Sequence, residues 1–271
     1  MDPQIASQAA VFQALHRRPQ AFLIPNPWDA GTARLLTGLG FEALATTSLG
    51  VANTAGRRSA TRQDILDNLR AICAATTLPV NADLENCFAD DPRQAAQMIT
   101  EACECGAVGG SIEDATGNPE APIYDFSLAL ERVHAAVEVT RKLPIPFMLC
   151  ARAEGMLYKG SLDDVLRRME AFDAAGADVL FAPAVNRPED IRMLVASVKK
   201  PINVGMGVGD PSLTLEQLSE LGVRRVSIGG ALSRVAIKAF LDSARQMQNG
   251  QFGFLRDMAS LTEIRQLMKT T

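Results

Sequence analysis

The sequence predicts a single-domain α/β protein with the (β/α)8 architecture of a TIM barrel. Its 271 residues, 47% of them hydrophobic, suit one such barrel with a large core. Short apolar runs recur along the chain, and amphipathic segments separate them, which is typical of a parallel sheet covered by helices. No G-x-G-x-x-G motif follows the first run, so a dinucleotide-binding fold is disfavoured. A closed barrel is therefore favoured over a doubly wound sheet.

The first elements already show this alternation. Residues 5–17 place apolar side chains at helical spacing, which predicts a helix that plugs or flanks the bottom of the barrel. Residues 21–25 form the first predicted strand. Asp29 then stands as the N-cap of a helix over 30–39. The further strands are predicted at 43–47, 79–83, 109–113, 147–152, 179–182, 202–205 and 226–229.

The helices between these strands have clear start and stop signals, such as Thr61 before one helix and Gly176 after another. They are predicted at 61–75, 92–105, 126–141, 161–175, from 188, from 214 and at 231–248. Residues 1–271 thus form one domain, with a core at 20–248, an N-terminal helix within 1–18 and a C-terminal helical extension at 250–271.

The extension contains an amphipathic segment at 254–268 that a barrel does not need. Because that helix is free to pack on another subunit, or to be swapped between subunits, we expect a homo-oligomer, either a dimer or a tetramer.

Composition excludes several classes of partner. The net charge is −4, and one Trp and two Tyr offer few stacking platforms, so nucleic acid is not an expected partner. No apolar run approaches the roughly 18 residues that cross a bilayer, so no membrane association is expected. The first residues lack a basic region followed by an apolar block, and five cysteines form an odd set within predicted helices and strands. We therefore expect a cytoplasmic protein with reduced thiols.

Charged residues stand at the ends of three predicted strands. Asp83 and Glu85 close the third strand two residues apart, so their side chains point the same way. Glu113 ends the fourth strand, and Arg152 ends the fifth. Because the carboxyl ends of barrel strands meet at one mouth, these side chains are expected to converge there and to share a divalent cation.

Six motifs in order connect this pattern with a known family. They are WDAGTAR at 28–34, GFEALATTSLG at 40–50, NADLE at 81–85, SIED at 111–114, ARAE at 151–154 and GVRRVSIG at 222–229. With them the chain resembles the isocitrate lyase and phosphoenolpyruvate mutase superfamily through most of residues 20–240. This resemblance implies a TIM barrel of that type.

The resemblance also implies a ligand set. Mg²⁺, for which Mn²⁺ is a possible substitute, is held mainly through waters by acids at the positions of Asp83, Glu85 and Glu113. The second of these acids is usually Asp in the family, and here it is Glu85. Because Mg²⁺ keeps most of its water shell, few direct protein ligands are needed.

A 2-oxo acid is the implied substrate, chelating the metal through its carboxylate and carbonyl oxygens. Backbone N–H groups around Ser48, Leu49 and Gly50 are expected to hold the carboxylate, and Arg152 to face the oxygen that becomes the enolate. Ser48, Glu113 and Arg152 are the expected catalytic residues. Asp83 also belongs to the substrate site, and Asn203, at a strand end after Pro201, is a further candidate for it.

The loop at 115–125 departs from the lyases of the family. There the lyases carry a Cys that acts as general acid, whereas this loop has no Cys, Lys or His. The alternatives in the loop are Asn118, Glu120 and Tyr124, and the sequence does not choose among them. Gly117 and two prolines give the loop the character of a gating lid.

These observations predict a Mg²⁺-dependent enzyme that acts on a small 2-oxo or 2-hydroxy acid through an enolpyruvate-like intermediate. A carbon–carbon lyase or decarboxylase is the favoured reaction class. One alternative is a mutase or hydrolase of the phosphonopyruvate or carboxyphosphonoenolpyruvate type. A second is a 2-oxo-acid binding protein without catalysis.

Overall fold

Eight parallel strands form a nearly closed barrel in the computed structural model, which describes residues 3–208 and 212–269. The strands are β1 (Phe22–Ile24), β2 (Leu44–Ala45), β3 (Val80–Ala82), β4 (Gly109–Glu113), β5 (Met148–Arg152), β6 (Val179–Phe181), β7 (Ile202–Gly205) and β8 (Arg225–Ser227). They pair in the order β1-β8-β7-β6-β5-β4-β3-β2. A backbone hydrogen bond from Ala45 N–H to Pro25 C=O, 3.0 Å long, bridges the remaining gap between β1 and β2. The predicted fold class is confirmed.

Helices follow the strands and cover the barrel from outside. They are α1 (Pro3–Arg17), α2 (Ala30–Gly38), α3 (Ser48–Thr54), α4 (Arg62–Ala75), α5 (Pro92–Glu104), α6 (Phe126–Thr140), α7 (Leu162–Ala175), α8 (Pro188–Ser197), α9 (Leu215–Glu220), α10 (Ala231–Gln248) and α11 (Leu261–Leu267). Asp29 caps α2 through a reciprocal capping box with Thr32, as predicted. Thr61 and Thr214 cap α4 and α9 in the same way.

The first helix plugs the bottom of the barrel. Phe12 is fully buried, and a Cβ atom added to Gly109, the first residue of β4, would lie only 2.8 Å from its ring. His16 packs edge-on against Phe12 and against Phe22, the first residue of β1. The ring of Phe12 therefore enters a space that only a glycine leaves open, so of the two predicted placements the structure has the helix at the bottom of the barrel.

Helix α3 was not predicted. It begins directly after β2 at Ser48, and Thr47 occupies the N-cap position without a side-chain hydrogen bond. Gly50 and Val51 are weak helix formers, so neither capping nor propensity indicates a helix here. Its first turn carries the predicted substrate-binding segment.

The C-terminal helices differ from expectation. The final helix α11, expected to be free to pack on another subunit, instead contacts α2 of its own chain, where Gly38 leaves room for the backbone of Leu267. Exposed apolar side chains lie on α10, where Phe240 is 71% exposed, and continue into the extension, where Leu261 is 68% exposed. Within the described residues, none of the helices has the length and apolar character required to cross a membrane.

Candidate active site

The charged residues predicted at the strand ends meet at the mouth of the barrel. Arg152 Nη1 lies 2.8 Å from Asp83 Oδ1, and its Nη2 lies 3.1 Å from Glu113 Oε2. β4 and β5 pair with Glu113 directly opposite Arg152, which fixes that contact. The predicted convergence is therefore present in the structure, while the chemical roles of these residues stay predictions.

A fourth charged residue, Glu154, joins this group. Arg152 Nε lies 2.8 Å from Glu154 Oε1, so each side of the guanidinium faces a carboxylate. Glu154 itself is held in place, because its backbone N–H donates to Asp114 Oδ1 at 2.7 Å. Asp114 in turn forms a buried ion pair with Arg168 at 3.1 Å. The sequence placed Glu154 and Asp114 within motifs of the family but assigned them no role.

Asp83 is clamped from three directions. Besides Arg152, the backbone N–H of Ser48 donates to Asp83 Oδ2 at 2.8 Å. The backbone N–H of Asp83 donates to the hydroxyl of Thr46, also at 2.8 Å. The N–H of Ser48, expected to bind the substrate carboxylate, is thus engaged with Asp83 in this structure.

The other two residues of that segment differ in their access to the cavity. Leu49 lines the cavity at the mouth, whereas Gly50 is buried behind it. A Cβ atom on Gly50 would lie 2.6 Å from Trp28 Cβ, so the glycine allows α3 to approach the segment after β1. The side of Gly50 that faces Trp28 therefore cannot contact a substrate.

The loop after β3 carries Glu85 in an unusual conformation. Glu85, Cys87 and Phe88 have φ angles of 50°, 59° and 55°, in the left-handed region that non-glycine residues rarely adopt. Fully buried Arg132 supports the loop, donating to the carbonyl oxygens of Asn86 at 2.5 Å and Asp90 at 3.0 Å. A strained backbone of this kind persists only where the surrounding structure holds it in place. Such residues cluster at functional sites.

The acids at the mouth repel one another. Burial raises the pKa of Glu113 well above its usual value, and the neighbouring Glu154, Asp83 and Glu85 raise it further against the effect of Arg152. Burial and the charge of Asp83 also raise the pKa of Glu85, while a hydrogen bond with the Ser48 side chain lowers it. Burial opposes the charge of Arg152, but Glu154, Glu113 and Asp83 outweigh it and raise the pKa of Arg152. Negative charge thus exceeds positive charge here.

This cluster has the donor chemistry that Mg²⁺ prefers. All candidate donors are hard oxygen atoms, and a divalent cation would relieve the repulsion among Asp83, Glu85 and Glu113. In the described part of the chain, no three acidic, His or Cys side chains already form a ready-made ligand cage. Mg²⁺ keeps several waters and takes one or two direct carboxylates, so it does not need such a cage. The residues present fit the ion.

A cavity of about 370 Å³ opens beside the cluster. Asp83 and Arg152 line its upper part, whereas Glu85 and Glu113 lie outside its wall. Its floor is polar, although barrel interiors are usually filled by branched aliphatic residues. The polar floor residues are Asn81, Ser111, Cys150, Asn203 and Arg225.

Sequence reasoning identified only Asn203 among these floor residues. Side chains two apart on a strand share a face, so Asn81, Ser111 and Cys150 lie directly beneath Asp83, Glu113 and Arg152. That periodicity could have found them. Asn203, a predicted substrate ligand, accepts a hydrogen bond from Arg225 Nε at 2.8 Å and donates to Ser227 Oγ at 3.0 Å.

The loop at 115–125 turns back on itself, because Ala115 and Ile123 form an antiparallel bridge. Tyr124 is buried, and its hydroxyl donates to Asp90 while the guanidinium of Arg132 lies 4.3 Å from its ring centre. Of the three loop alternatives, Tyr124 is therefore committed to the support of the β3 loop. Asn118 and Glu120 are exposed and bonded to each other, because Glu120 N–H donates to Asn118 Oδ1 at 3.1 Å.

Comparison with known proteins shows that the chain matches a protein family. The family model described as phosphoenolpyruvate phosphomutase matches residues 12–248. A 2-methylisocitrate lyase of Escherichia coli (strain K12) is 26% identical, over 78% of this chain and 75% of the relative. An oxaloacetate decarboxylase of Bradyrhizobium sp. (strain BTAi1) is also 26% identical, over 82% of this chain and 79% of the relative.

Solved structures agree on the fold. A Burkholderia cenocepacia J2315 protein with a provisional lyase/mutase assignment is 49% identical and has a TM-score of 0.94, covering 97% of this chain and 95% of its own. A phosphonopyruvate hydrolase in complex with oxalate and Mg²⁺ is 20% identical, with a TM-score of 0.85 over 97% of this chain and 95% of its own. The second likeness concerns the fold alone. The chain described above belongs to the phosphoenolpyruvate phosphomutase family, within the superfamily that also contains the isocitrate lyases.

Proposed function

We propose that the protein is a Mg²⁺-dependent enzyme that forms an enolate from a small 2-oxo or 2-hydroxy acid and cleaves a carbon–carbon bond. The observation that carries this proposal is Arg152, which contacts three carboxylates at the rim of a cavity in the size range of small-molecule sites. Such a group combines a fixed positive charge with acids that suit a cation. Both features are suited to stabilising negative charge on a bound oxo acid.

Asp83, Glu85 and Glu113 would hold the metal, directly or through water. Mg²⁺, or Mn²⁺ in its place, supplies a Lewis acid when bound, which polarises a carbonyl oxygen. The hard oxygen donors of these three acids, and the repulsion that raises the pKa of Glu85 and Glu113, support this assignment. The metal dependence of this chain is part of the proposal.

Arg152 would bind and orient the substrate oxygen on which charge develops. Its three acidic contacts hold the guanidinium in one position, so little reorganisation accompanies the reaction. One preorganised contact of this type is typically worth about 3 kcal/mol of transition-state stabilisation. Ser48 would assist by positioning Asp83, and the first turn of α3 at Leu49 would face the substrate carboxylate.

Decarboxylation or another cleavage of a 2-oxo acid suits these residues better than cleavage of a 2-hydroxy acid. Loss of CO₂ from C3 of a 2-oxo acid requires an electron sink at C2 but no base that removes a hydroxyl proton. The loop at 115–125 offers no Cys, Lys or His for proton transfer. The similarity to oxaloacetate decarboxylases supports the same class.

A substrate panel tests the proposal. The purified protein is assayed with Mg²⁺ against small 2-oxo and 2-hydroxy acids, and release of pyruvate, glyoxylate or CO₂ is measured. We expect turnover that chelation of the metal abolishes and that Asp83→Asn reduces about 100-fold or more. Asp91→Asn, which changes an exposed acid at the start of α5, is the matched control and should keep full activity. Unchanged metal-dependent turnover in Asp83→Asn contradicts the proposal.

Two alternatives are tested by the same panel. A mutase or hydrolase of the phosphonopyruvate type is supported by the family match, and phosphonopyruvate in the panel would reveal it as phosphoenolpyruvate or phosphate formation. A binding protein without catalysis is supported by the loop that lacks a general acid. It would bind pyruvate or 2-oxoglutarate in calorimetry without turning over any acid in the panel.

We also propose a homo-oligomer, a dimer or tetramer, that covers the apolar face of α10. Ile237, Phe240 and Leu241 are exposed at i, i+3 and i+4, so they share one face of this helix, and an exposed apolar face marks an interaction surface. Phe240→Asp should shift the mass measured by light scattering toward the monomer. Met193→Asp on α8, where Met193 is 49% exposed, is the control and should leave the mass unchanged. A wild-type protein that is already monomeric contradicts the oligomer.

A further inference from the structure

Arg225 occupies the floor of the cavity, where no described residue gives it an acidic partner. It is 4% exposed, and its hydrogen bonds go to Asn203 Oδ1 at 2.8 Å and Cys150 Sγ at 3.0 Å. Among the described residues no carboxylate forms an ion pair with it, and its Nη1 atom is buried without any partner. A buried charge is normally paired, because removing it from water is costly.

Cys150 does not neutralise this charge. Burial raises the pKa of the Cys150 thiol, although Arg225 and Arg152 both act to lower it. The thiol therefore stays protonated at neutral pH and contributes only a weak, uncharged acceptor. Asn203 is uncharged as well. The floor thus carries a net positive charge.

Two residues with unsatisfied groups line the same cavity. Arg225 and Asn81 both line the cavity, and each has a buried polar atom without a partner. The amide of Asn81 can present either its oxygen or its NH₂ group by a half-turn about its last bond. With Ser111 beside them, these side chains offer donors for an oxygen-rich anion.

The floor lies one layer beneath the mouth. Cys150, which touches Arg225, stands two residues before Arg152 on β5, so the two positions are roughly 7 Å apart along the strand. One guanidinium therefore lies at each end of a single cavity of about 370 Å³. A short molecule with a carboxylate at each end matches this arrangement.

We propose that Arg225, together with Asn203, Asn81 and Ser111, forms a carboxylate subsite, and that the substrate is a four-carbon 2-oxo dicarboxylic acid. This inference rests on the function proposed above: one end of the diacid lies at the mouth with Arg152, and the far carboxylate lies at the floor with Arg225. A monocarboxylic acid would leave the floor charge uncompensated, which gives selectivity for diacids.

Two ligands of different length test the subsite by calorimetry in the presence of Mg²⁺. Oxalate reaches only the mouth, whereas L-malate carries a second carboxylate and has no carbonyl at C2 that could serve as the electron sink for loss of CO₂. In Arg225→Met we expect the Kd of oxalate to stay within about twofold. The Kd of the diacid should rise at least about tenfold, as expected for a lost charged contact.

Asn203→Asp provides a second variant with the same shape. It places a carboxylate against Arg225, so it should block the anion while giving the buried cation a partner that preserves the fold. We expect the same selective loss of diacid affinity. Thermal unfolding of both variants is measured alongside binding, to show that each variant is folded.

The outcomes separate this inference from the function on which it rests. A wild-type protein that binds neither ligand overturns both. Normal oxalate binding with unchanged diacid affinity in both variants overturns the subsite alone, and so does an equal loss for both ligands. Nitrate binding that disappears in Arg225→Met, with diacid affinity unchanged, would assign the floor to a free anion and overturn its role in substrate binding.

Discussion

The mouth and the floor of the barrel each contain one buried arginine, yet their surroundings are opposite. At the mouth, Arg152 contacts Asp83, Glu113 and Glu154, and acid exceeds base. At the floor, the contacts of Arg225 within the described residues are with an amide and a thiol. The same residue type therefore serves two purposes: the mouth has the charge to attract a cation, and the floor has the charge to attract an anion.

Removal of Arg152 should have the largest effect. Arg152→Met leaves buried acids without their counter-charge, so we expect the free energy of unfolding to fall by about 3 to 5 kcal/mol. Turnover should fall roughly 100- to 1,000-fold. Chemical denaturation and steady-state kinetics measure these changes.

Arg225→Met is the matched control for that comparison. It removes a buried charge that has no acidic partner in residues 3–208 and 212–269, so the free energy of unfolding should stay the same or rise. Mg²⁺ should restore part of the stability of Arg152→Met by binding the freed acids, and should not affect Arg225→Met beyond the wild-type response. Equal destabilisation by the two substitutions would contradict the contrast between mouth and floor.

The positive floor also acts on His16. Burial, and secondly the charge of Arg225, lower the pKa of His16 to about 3 from its usual value of 6.5. Below pH 6.5 the unfolded chain binds a proton that the folded chain excludes, so stability falls as the pH falls. For this group alone the loss between pH 7.5 and 5 is about 2 kcal/mol.

Unfolding measured at several pH values checks this effect. His16→Gln should remove about 2 kcal/mol of the pH dependence over that range relative to the wild type. His134 is the other histidine of the chain and is exposed on α6, so His134→Gln should keep the wild-type dependence. An unaltered pH dependence in His16→Gln would show that burial and the charge of Arg225 together do not hold this ring neutral.

At the mouth, the strained loop that carries Glu85 depends on Arg132. Arg132→Met removes the donors to the carbonyl oxygens of Asn86 and Asp90, so the loop should relax away from its left-handed conformation. Supporting residues of metal sites typically contribute 10- to 100-fold to affinity, and we expect a loss of about tenfold for Mn²⁺ used as a probe. Arg141→Met, at a surface ion pair with Asp178, is the control and should leave the metal affinity unchanged.

The mouth could be predicted from the sequence, whereas the arginine of the floor could not. Asp83, Glu113 and Arg152 follow apolar runs, and the ends of parallel strands meet, so their convergence follows from general rules. Arg225 stands beside Arg224 in one run, and a one-residue shift of the strand exchanges which of them points inward. Only the register of β8 against β7 settles this, by pairing Arg225 with Asn203.

The smallest effect is expected from the residue that aligns Asp83. Thr46 accepts the backbone N–H of Asp83 and faces the cavity, so Thr46→Val leaves that N–H without its partner at nearly constant volume. An uncharged hydrogen bond is worth about 1 kcal/mol, so Mn²⁺ affinity should weaken about fivefold. Thr47→Val changes the neighbouring residue, whose side chain makes no capping hydrogen bond to α3, and should stay near the wild type. Equal affinities in the two variants would mean that the clamp from Ser48 and Arg152 alone orients Asp83, because these two contacts remain when the hydroxyl is removed.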